Sequence, residues 1–210
     1  PMFLVAAPYT FLCDPYERSL PDKVAKAWGR CTTAPFFSTH VEGLEACEKQ
    51  LQGKPAVFVA NHQSWLDIYA SFWLDWDRAL KIVSKASIFR IPLCGWVMSL
   101  IGHVPYDRSK GGGHVVGACT DLVERGVSVF FFPEGTRSKD GQLKKFKPGA
   151  FVVAELEGKG TGVSEETAEK PCEEVQKVID QLLLKAQDAH SLAVAELRRY
   201  KSVPEKDWPL

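Results

Sequence analysis

Two side chains in the first third of the chain, His62 and Asp67, have the types and spacing for acid–base chemistry. They lie five residues apart in the stretch NHQSWLD, directly after the apolar run AVFVA. An imidazole has an unperturbed pKa near ~6.5, so it can accept and return a proton at neutral pH. A carboxylate that accepts a hydrogen bond from the other ring nitrogen fixes the tautomer and stabilises the cation. The other interpretation is a loop histidine beside an aspartate that complements a helix dipole.

The spacing of this pair sets conditions on the elements around it. Five positions on one regular helix place two side chains about 140° apart, so they would not share a face. The pair therefore requires His62 in a turn and Asp67 in the first part of a helix. The sequence predicts this arrangement, with an apolar strand at 56–60 and a helix at roughly 65–76.

Ser64, between the two, is interpreted as a helix cap, a role that Asn61 would also suit. It lacks the Gly-x-Ser-x-Gly setting of a nucleophile elbow, so we do not interpret it as a nucleophile. His62 and Asp67 are also poor candidates for a metal pair, because no third ligand follows nearby in the sequence.

A second polar stretch, FFPEGTRS at 131–138, also follows an apolar strand. Its Arg137 offers a planar fork of donors that suits a phosphate. Gly135 allows backbone to approach a ligand, and Thr136 adds a donor. Glu134 stands beside them in the same turn.

Two further cations, Lys85 and Arg108, each follow another strand candidate. If the sheet is parallel, these strand ends meet at one edge, where ligands bind in such sheets. One base and several cations would then suit a phosphate-bearing substrate whose hydroxyl is deprotonated. The alternative is a set of separate surface salt bridges.

The remaining elements follow from periodicity and from breaks at glycine and proline. We predict a first strand at the start of THVEGLEACEKQLQGKP, followed by a polar connection. Strands alternating with helices indicate an α/β fold with a mostly parallel central sheet flanked by helices. The predicted strands are 81–85, 102–108 and 127–135. The predicted helices are 21–33, 87–100 broken at Pro92 and Gly95, 113–125 closed by Gly126, 148–157 and 172–200.

Composition excludes several classes of protein. The chain has 210 residues, 45% of them hydrophobic and 25% charged, as in ordinary globular domains. Lysine plus arginine and aspartate plus glutamate number 26 each, so no bulk positive charge points to nucleic acid. The six cysteines form no Cys-x-x-Cys pair, which favours reduced thiols over disulfides or a zinc site.

Two apolar stretches, 1–13 and 91–104, are shorter than the ~18 residues of a membrane-spanning helix. They are interpreted either as ordinary core or as an apolar surface, flanked by basic residues, that dips into a membrane interface. Since the chain opens with proline, the first stretch would be the end of a longer apolar segment if the chain is a fragment.

Together these stretches resemble the glycerolipid acyltransferases, most closely the plastid-type and bacterial 1-acyl-glycerol-3-phosphate acyltransferases. NHQSWLD is similar to their Asn-His-x4-Asp motif, and FFPEGTRS to their Phe-Pro-Glu-Gly-Thr-Arg motif. FKPGAF at 146–151 is similar to the Phe-x-x-Gly-Ala-Phe that follows. The likeness extends from near Val24 to about Ala154. The block between the first two motifs matches at Lys85, Ile91-Pro92, Gly95, Gly102 and Arg108.

The resemblance implies a reaction and a role for each residue. His62 would act as general base on the sn-2 hydroxyl of lysophosphatidic acid, and Asp67 would orient it. The deprotonated oxygen would attack the thioester of acyl-CoA or acyl-carrier protein, with no cofactor, metal or covalent acyl-enzyme, giving phosphatidic acid. The acceptor phosphate would be bound by Lys85, Arg108, Glu134, Gly135, Thr136 and Arg137.

The resemblance also implies an organisation and a departure from it. We expect an N-terminal membrane-associated helical segment at 1–33, an acyltransferase core at 34–157, and a linker, helix and tail at 158–210. After residue 156 a few dozen residues of the family pattern, including sheet strands, have no counterpart in the sequence. The expected location is a membrane surface, of plastids or of the endomembrane system.

Two alternative functions remain open from the sequence. The chain could be a catalytically impaired deletion variant that acts only as a membrane- or lipid-binding protein. It could also be an acyltransferase that uses glycerol-3-phosphate or another lysophospholipid as acceptor.

Overall fold

A four-stranded parallel sheet forms the centre of the protein, so the predicted α/β class is confirmed. The computed structural model describes residues 2–37, 39, 41–75, 77–138, 142–156, 168–177 and 179. The strands lie in the order β1-β4-β2-β3. Their ranges are β1 Val57–Val59, β2 Leu80–Lys85, β3 Val104–Tyr106 and β4 Ser128–Phe131.

Between residues 2 and 156 the described chain forms two short 3-10 turns, Ile88–Arg90 and Arg108–Lys110, and seven α-helices. They are α1 Met2–Cys13, α2 Ser19–Thr33, α3 Leu44–Leu51, α4 Asp67–Ser71, α5 Cys94–Ile101, α6 Gly113–Glu124 and α7 Gly149–Leu156.

The core explains why the middle strands are apolar throughout. Leu80 and Ile82 of β2 pack with Phe130 of β4, and partly buried side chains from β1 and α4 surround them. Helices α6 and α7 contact each other and also the strands. Parallel strands covered by helices bury both of their faces, and all four residues of β4 are accordingly buried.

The strand order decides which loops meet at the carboxyl edge of the sheet. Strand β4 pairs with β1 and with β2, so the loop after β4 lies between the loops after those two strands. Val59 is in register with Phe131, and Ile82 with Phe130. The stretches NHQSWLD and FFPEGTRS therefore leave the sheet side by side.

The predicted strand and polar connection before β1 are wrong. The described residues 39, 41 and 42 form no strand, and α3 occupies the stretch interpreted as a connection. LEACEKQL consists mostly of strong helix formers, so local propensity accounts for the helix. Gly43 precedes the helix and Gln52 follows it, both with positive φ.

The helix predicted at 65–76 is shorter than expected. Helix α4 covers only Asp67–Ser71 and has no side-chain cap. Shortly after it, the Asp75 carboxylate accepts hydrogen bonds from the amides of Asp77, at 2.9 Å, and Arg78, at 3.2 Å. This local side-chain turn competes with continuation of the helix.

Gly95 does not break the helix that contains it, contrary to the prediction. It is the second residue of α5, and a Cβ there would overlap the Phe89 carbonyl in the preceding 3-10 turn. The glycine therefore permits a close approach of backbone, and the interruption falls at the predicted Pro92.

Basic side chains attach α2 to the stretch of chain that leads into β2. Lys26 pairs with Asp22 at 2.9 Å and also donates to the carbonyls of Asp75 and Arg78. Arg30 donates to the Phe72 carbonyl at 2.7 Å. These bonds join α2 to residues 72–78, which precede β2 in the chain.

The chain beyond α7 is described only in part. Residues 168–177 are helical, so helix is present four residues before the predicted start at 172. The rest of that predicted helix lies outside the described residues, as does the junction after 156 where family residues are expected to be missing. The compact unit that contains the sheet extends to Cys172, and the domain boundaries predicted after 33 and 157 stay predictions.

None of the described helices is long and apolar enough to cross a bilayer.

Candidate active site

His62 and Asp67 meet in the geometry that the sequence required. His62 lies in the loop after β1, and Asp67 is the first residue of α4. The Nδ1 of His62 is 2.8 Å from the Oδ2 of Asp67. The same oxygen accepts the amide hydrogens of Gln63, at 2.8 Å, and Ser64, at 2.9 Å. One carboxylate thus fixes both the ring and the turn that carries it.

These contacts keep Asp67 ionised. Burial by itself raises the pKa of the carboxyl, but hydrogen bonds from the His62 side chain and from the Ser64 and Gln63 amides outweigh it. The pKa of Asp67 therefore lies below its usual value. A carboxylate that accepts several donors is stabilised in its charged form.

The ring of His62 has one nitrogen left for chemistry. With Nδ1–H donating to the Asp67 carboxylate, Nε2 carries the free lone pair. Among the described residues none forms a hydrogen bond to Nε2. The Phe132 ring stacks on the imidazole at 4.0 Å between centroids and 21° between planes. The ring is thereby held by a carboxylate at one atom and by an aromatic face.

Glu134 faces inward and joins three backbone segments. Its Oε1 accepts the His62 amide hydrogen at 2.6 Å, and its Oε2 accepts the Lys144 amide hydrogen at 3.2 Å. Only 4% of the residue is exposed. The Ser138 amide donates to the His62 carbonyl at 2.7 Å, which closes the loop on the other side. The carboxylate of Glu134 therefore positions the histidine loop against the loop after β4.

Gly135 sits at the tip of the turn after β4. Its φ is 70°, and its amide donates to the Phe132 carbonyl at 2.9 Å. The Nη2 of Arg108 donates to the Gly135 carbonyl at 3.3 Å. The predicted convergence of the loop after β3 with the loop after β4 is therefore observed at this contact.

Thr136 and Arg137 are exposed in the same turn. The Lys144 ammonium donates to the Arg137 carbonyl at 2.8 Å and lies 3.4 Å from the Thr136 hydroxyl. No described residue forms an ion pair with the Arg137 guanidinium.

Lys85 is the last residue of β2, exposed and in register with Tyr106 of β3. Its position at the carboxyl edge is the predicted one. Within the described chain its ammonium group has no hydrogen bond to the other site residues. Lys85 thus lies at the same edge of the sheet as the other described site residues, without a hydrogen bond to them.

The sequence did not point to Phe132, Lys144 and Lys147 as site residues. In the sequence, Phe132 is at the end of an apolar run. The lysines lie in the stretch LKKFK, whose composition does not indicate a site. The sequence did contain a positional signal: Lys147 is the second residue of the FKPGAF motif, and Lys144 lies two residues before that motif.

A metal site is not indicated in the part of the chain that the structure describes, where no three His, Cys, Asp or Glu side chains form a ligand group.

Comparison with known proteins decides the family. Residues 38–161, more than half of the chain, match the family described as Acyltransferase. The chain belongs to the acyltransferase family.

Curated members of this acyltransferase family include plant and bacterial enzymes. The chain is 44% identical over 159 residues to a chloroplastic 1-acyl-sn-glycerol-3-phosphate acyltransferase of Arabidopsis thaliana, covering 75% of this chain and 44% of that protein. A chloroplastic counterpart of Brassica napus is 43% identical over the same length, covering 75% and 45%. The Escherichia coli 1-acyl-sn-glycerol-3-phosphate acyltransferase is 32% identical over 124 residues, covering 58% and 50%.

The matched part spans less than half the length of the two plant relatives. No solved structure matches the chain.

Proposed function

We propose that this protein transfers a fatty acyl group from a thioester to the sn-2 hydroxyl of 1-acyl-glycerol-3-phosphate. The observation that carries the proposal is the His62–Asp67 pair, bonded at 2.8 Å and placed beside a turn rich in cations. The names of the curated relatives support the same acceptor.

His62 performs the proton transfers in this reaction. Its Nε2 accepts the proton of the acceptor hydroxyl while that oxygen attacks the thioester carbonyl. The C–S bond then breaks, and the imidazolium returns its proton to the departing thiolate. Asp67 holds the ring in the tautomer that leaves Nε2 free and stabilises the imidazolium, because its carboxylate is already ionised.

The cations around the turn after β4 bind the acceptor phosphate. Arg108 and Arg137 are exposed, and neither has a carboxylate partner among the described residues. Lys85 lies at the same edge of the sheet. An arginine without an acidic partner is available for bidentate binding of a phosphate.

Transfer of a labelled acyl group to lysophosphatidic acid in detergent tests this proposal. We expect transfer by the protein and a loss of about 10²–10⁴ in rate for His62→Ala, the usual contribution of a positioned base. His114→Ala is the matched control, since His114 is exposed, its Nδ1 contacts the Gly111 carbonyl rather than a carboxylate, and its ring stacks on Tyr106.

Equal rates for the two histidine variants would contradict the mechanism. Thermal melts of both variants show whether either loss comes from unfolding. Running the assay with acyl-CoA and with acyl-carrier protein identifies the thioester donor, and replacing the acceptor with glycerol-3-phosphate tests the alternative acceptor.

We also propose that the protein works at a membrane surface, in plastids. Both substrate and product are lipids, and relatives are chloroplastic by name. Large apolar side chains are exposed in the stretches predicted to contact a bilayer: Leu12 is 81% exposed, Leu93 71% and Trp96 68%. Exposed apolar groups of this kind favour insertion at the interface of a bilayer.

Sedimentation with liposomes tests the membrane proposal. We expect Leu93→Ser combined with Trp96→Ser to reduce the bound fraction. Phe36→Ser changes an aromatic residue outside those stretches that is 78% exposed; it is the control and should bind as the unaltered protein does. Unchanged binding of the double variant would contradict a role for this surface.

A further inference from the structure

Lys147 lies directly on the turn that the acceptor phosphate is proposed to approach. A Cβ placed on Gly135 would be 2.9 Å from the Lys147 Nζ and 3.3 Å from its Cε. The ammonium group therefore occupies the space that the absence of a side chain at Gly135 leaves open. Any residue other than glycine would displace it.

The backbone fixes this position as well. The Lys147 amide donates to the Pro133 carbonyl at 3.0 Å, which joins the lysine to the start of the same turn. The preceding residue, Phe146, is only 3% exposed and anchors the segment in the core. Lys147 is thus an exposed side chain on a segment held at two points.

Two cations consequently contact one glycine. Arg108 reaches the Gly135 carbonyl through Nη2 at 3.3 Å, while the Lys147 ammonium lies 2.9 Å from the position that a Cβ on Gly135 would take. Within the described residues neither cation has a carboxylate partner. Glu134, next to Gly135 in the chain, is buried and engaged with two backbone amides. Asp107, next to Arg108 in the chain, accepts hydrogen bonds from the amide and hydroxyl of Ser109.

Like charges gathered without counter-charge repel one another, so the arrangement favours a bound anion. We propose that Lys147 is a ligand of the acceptor's phosphate monoester and that Gly135 is required because it lets this ammonium reach the turn. The inference rests on the proposed function, and it adds a residue that contacts the phosphate from a segment beyond the turn itself.

The test measures binding separately from catalysis. Binding of glycerol-3-phosphate, the soluble end of the acceptor, is measured by calorimetry for four proteins: the unaltered chain, Lys147→Met, Lys147→Arg and Lys145→Met. Methionine keeps the apolar stem and removes the charge, and arginine restores a cation. Lys145 is the matched control, an exposed lysine two positions away on the same segment.

We expect Lys147→Met to weaken binding about tenfold or more, the loss of one charge-assisted hydrogen bond. Lys145→Met should change it by less than about twofold, as for an exposed charge outside the site. Lys147→Arg should recover most of the affinity. Equal losses of affinity for Lys145→Met and Lys147→Met would overturn the proposal, because the effect would then come from net charge alone. No loss of affinity for Lys147→Met would overturn it as well.

Acyl transfer to lysophosphatidic acid by the same four proteins separates the two proposals. A rise in apparent KM for lysophosphatidic acid in Lys147→Met, with kcat nearly unchanged, supports Lys147 as a phosphate ligand. If the unaltered chain transfers no acyl group but binds glycerol-3-phosphate through Lys147, the proposed function fails and this inference stands. If transfer occurs and Lys147→Met behaves as Lys145→Met does, this inference fails and the function stands.

Discussion

The protein contains two groups of basic side chains that differ in what neutralises them. At the amino end of β2, Lys26 is 2% exposed and Lys81 is fully buried. Lys26 pairs with the buried Asp22 at 2.9 Å, and the Lys81 ammonium donates to the Glu17 carbonyl. Both buried ammonium groups therefore have partners within the protein.

At the carboxyl ends of the strands the situation is reversed. Lys85, Arg108, Arg137 and Lys147 are exposed, and none forms an ion pair with a described carboxylate. Two acids lie close to them in the chain: Glu134 binds backbone amides, and Asp107 accepts hydrogen bonds from Ser109.

The comparison shows that lysine and arginine serve two roles in this protein: some stabilise the fold, and others are available to bind a ligand. A cation removed from water needs partners inside the protein, so the first group stabilises the attachment of the N-terminal helices. A cation left in water needs none and stays available, so the second group can bind a ligand where parallel sheets place their sites. Substitutions should therefore affect stability in the first group and binding in the second.

The largest effect on stability is expected from Asp22→Asn. The change leaves the Lys26 charge buried without its carboxylate, which should lower the free energy of unfolding by about 3–5 kcal/mol. Urea denaturation measures it. Asp121→Asn is the control, because Asp121 forms a similar i,i+4 pair with Arg125 on the surface, at 2.9 Å, and should cost under about 1 kcal/mol. Similar losses for the two variants would contradict the distinction.

Arg137→Gln should affect binding without affecting stability. The apparent KM for lysophosphatidic acid should rise about tenfold or more, since a charge-assisted bond to phosphate is lost. The urea midpoint should not move, because no folded-state ion pair is removed. Arg125→Gln provides the comparison at an exposed arginine away from the turn. A fall in kcat alone would argue against a phosphate role.

Gly135→Ala should combine both kinds of effect on a smaller scale. Its φ of 70° costs a residue with a Cβ about 1–2 kcal/mol, and the new atom meets the Lys147 ammonium. We expect lower stability together with weaker binding of glycerol-3-phosphate. Gly117→Ala, in α6 where a Cβ meets nothing within 4 Å, should instead stabilise the protein by up to about 1 kcal/mol. Unchanged binding in Gly135→Ala would separate the glycine from the site.

The buried Lys81 should make stability depend on alkaline pH. Burial lowers its pKa from 10.5 to about 8, although Asp22 acts in the opposite direction. Between these two values the unfolded chain binds the proton that the folded chain has released, so stability rises with pH across this window. The slope is at most about 1.4 kcal/mol per pH unit for one proton. Urea unfolding at pH 7.5 and 9.5 should show a smaller rise in Lys81→Met; an identical rise would contradict this assignment.

Local patterns were sufficient for much of the fold. The alternation of apolar runs and helical segments predicted the parallel sheet, and the helix at 113–125 closed by Gly126 is observed as α6. These features depend on residues a few positions apart, so the sequence carries them directly. The failures were also local: α3 was missed because its polar composition was interpreted as a connection, although its residues favour helix.

The amino-acid sequence was enough to identify the chemical groups and to predict where each lies relative to its own strand. It placed His62 in a turn and Asp67 in a helix, and it placed cations after three strands. These statements need only the apolar pattern and the spacing within one stretch.

Which of these groups meet depends on the three-dimensional fold. The order β1-β4-β2-β3 brings the Glu134 carboxylate to the His62 amide, 72 residues away, and Arg108 to the Gly135 carbonyl. It also lays Lys147 on Gly135. Strand order and side-chain packing depend on the whole core, so no short stretch of sequence specifies them.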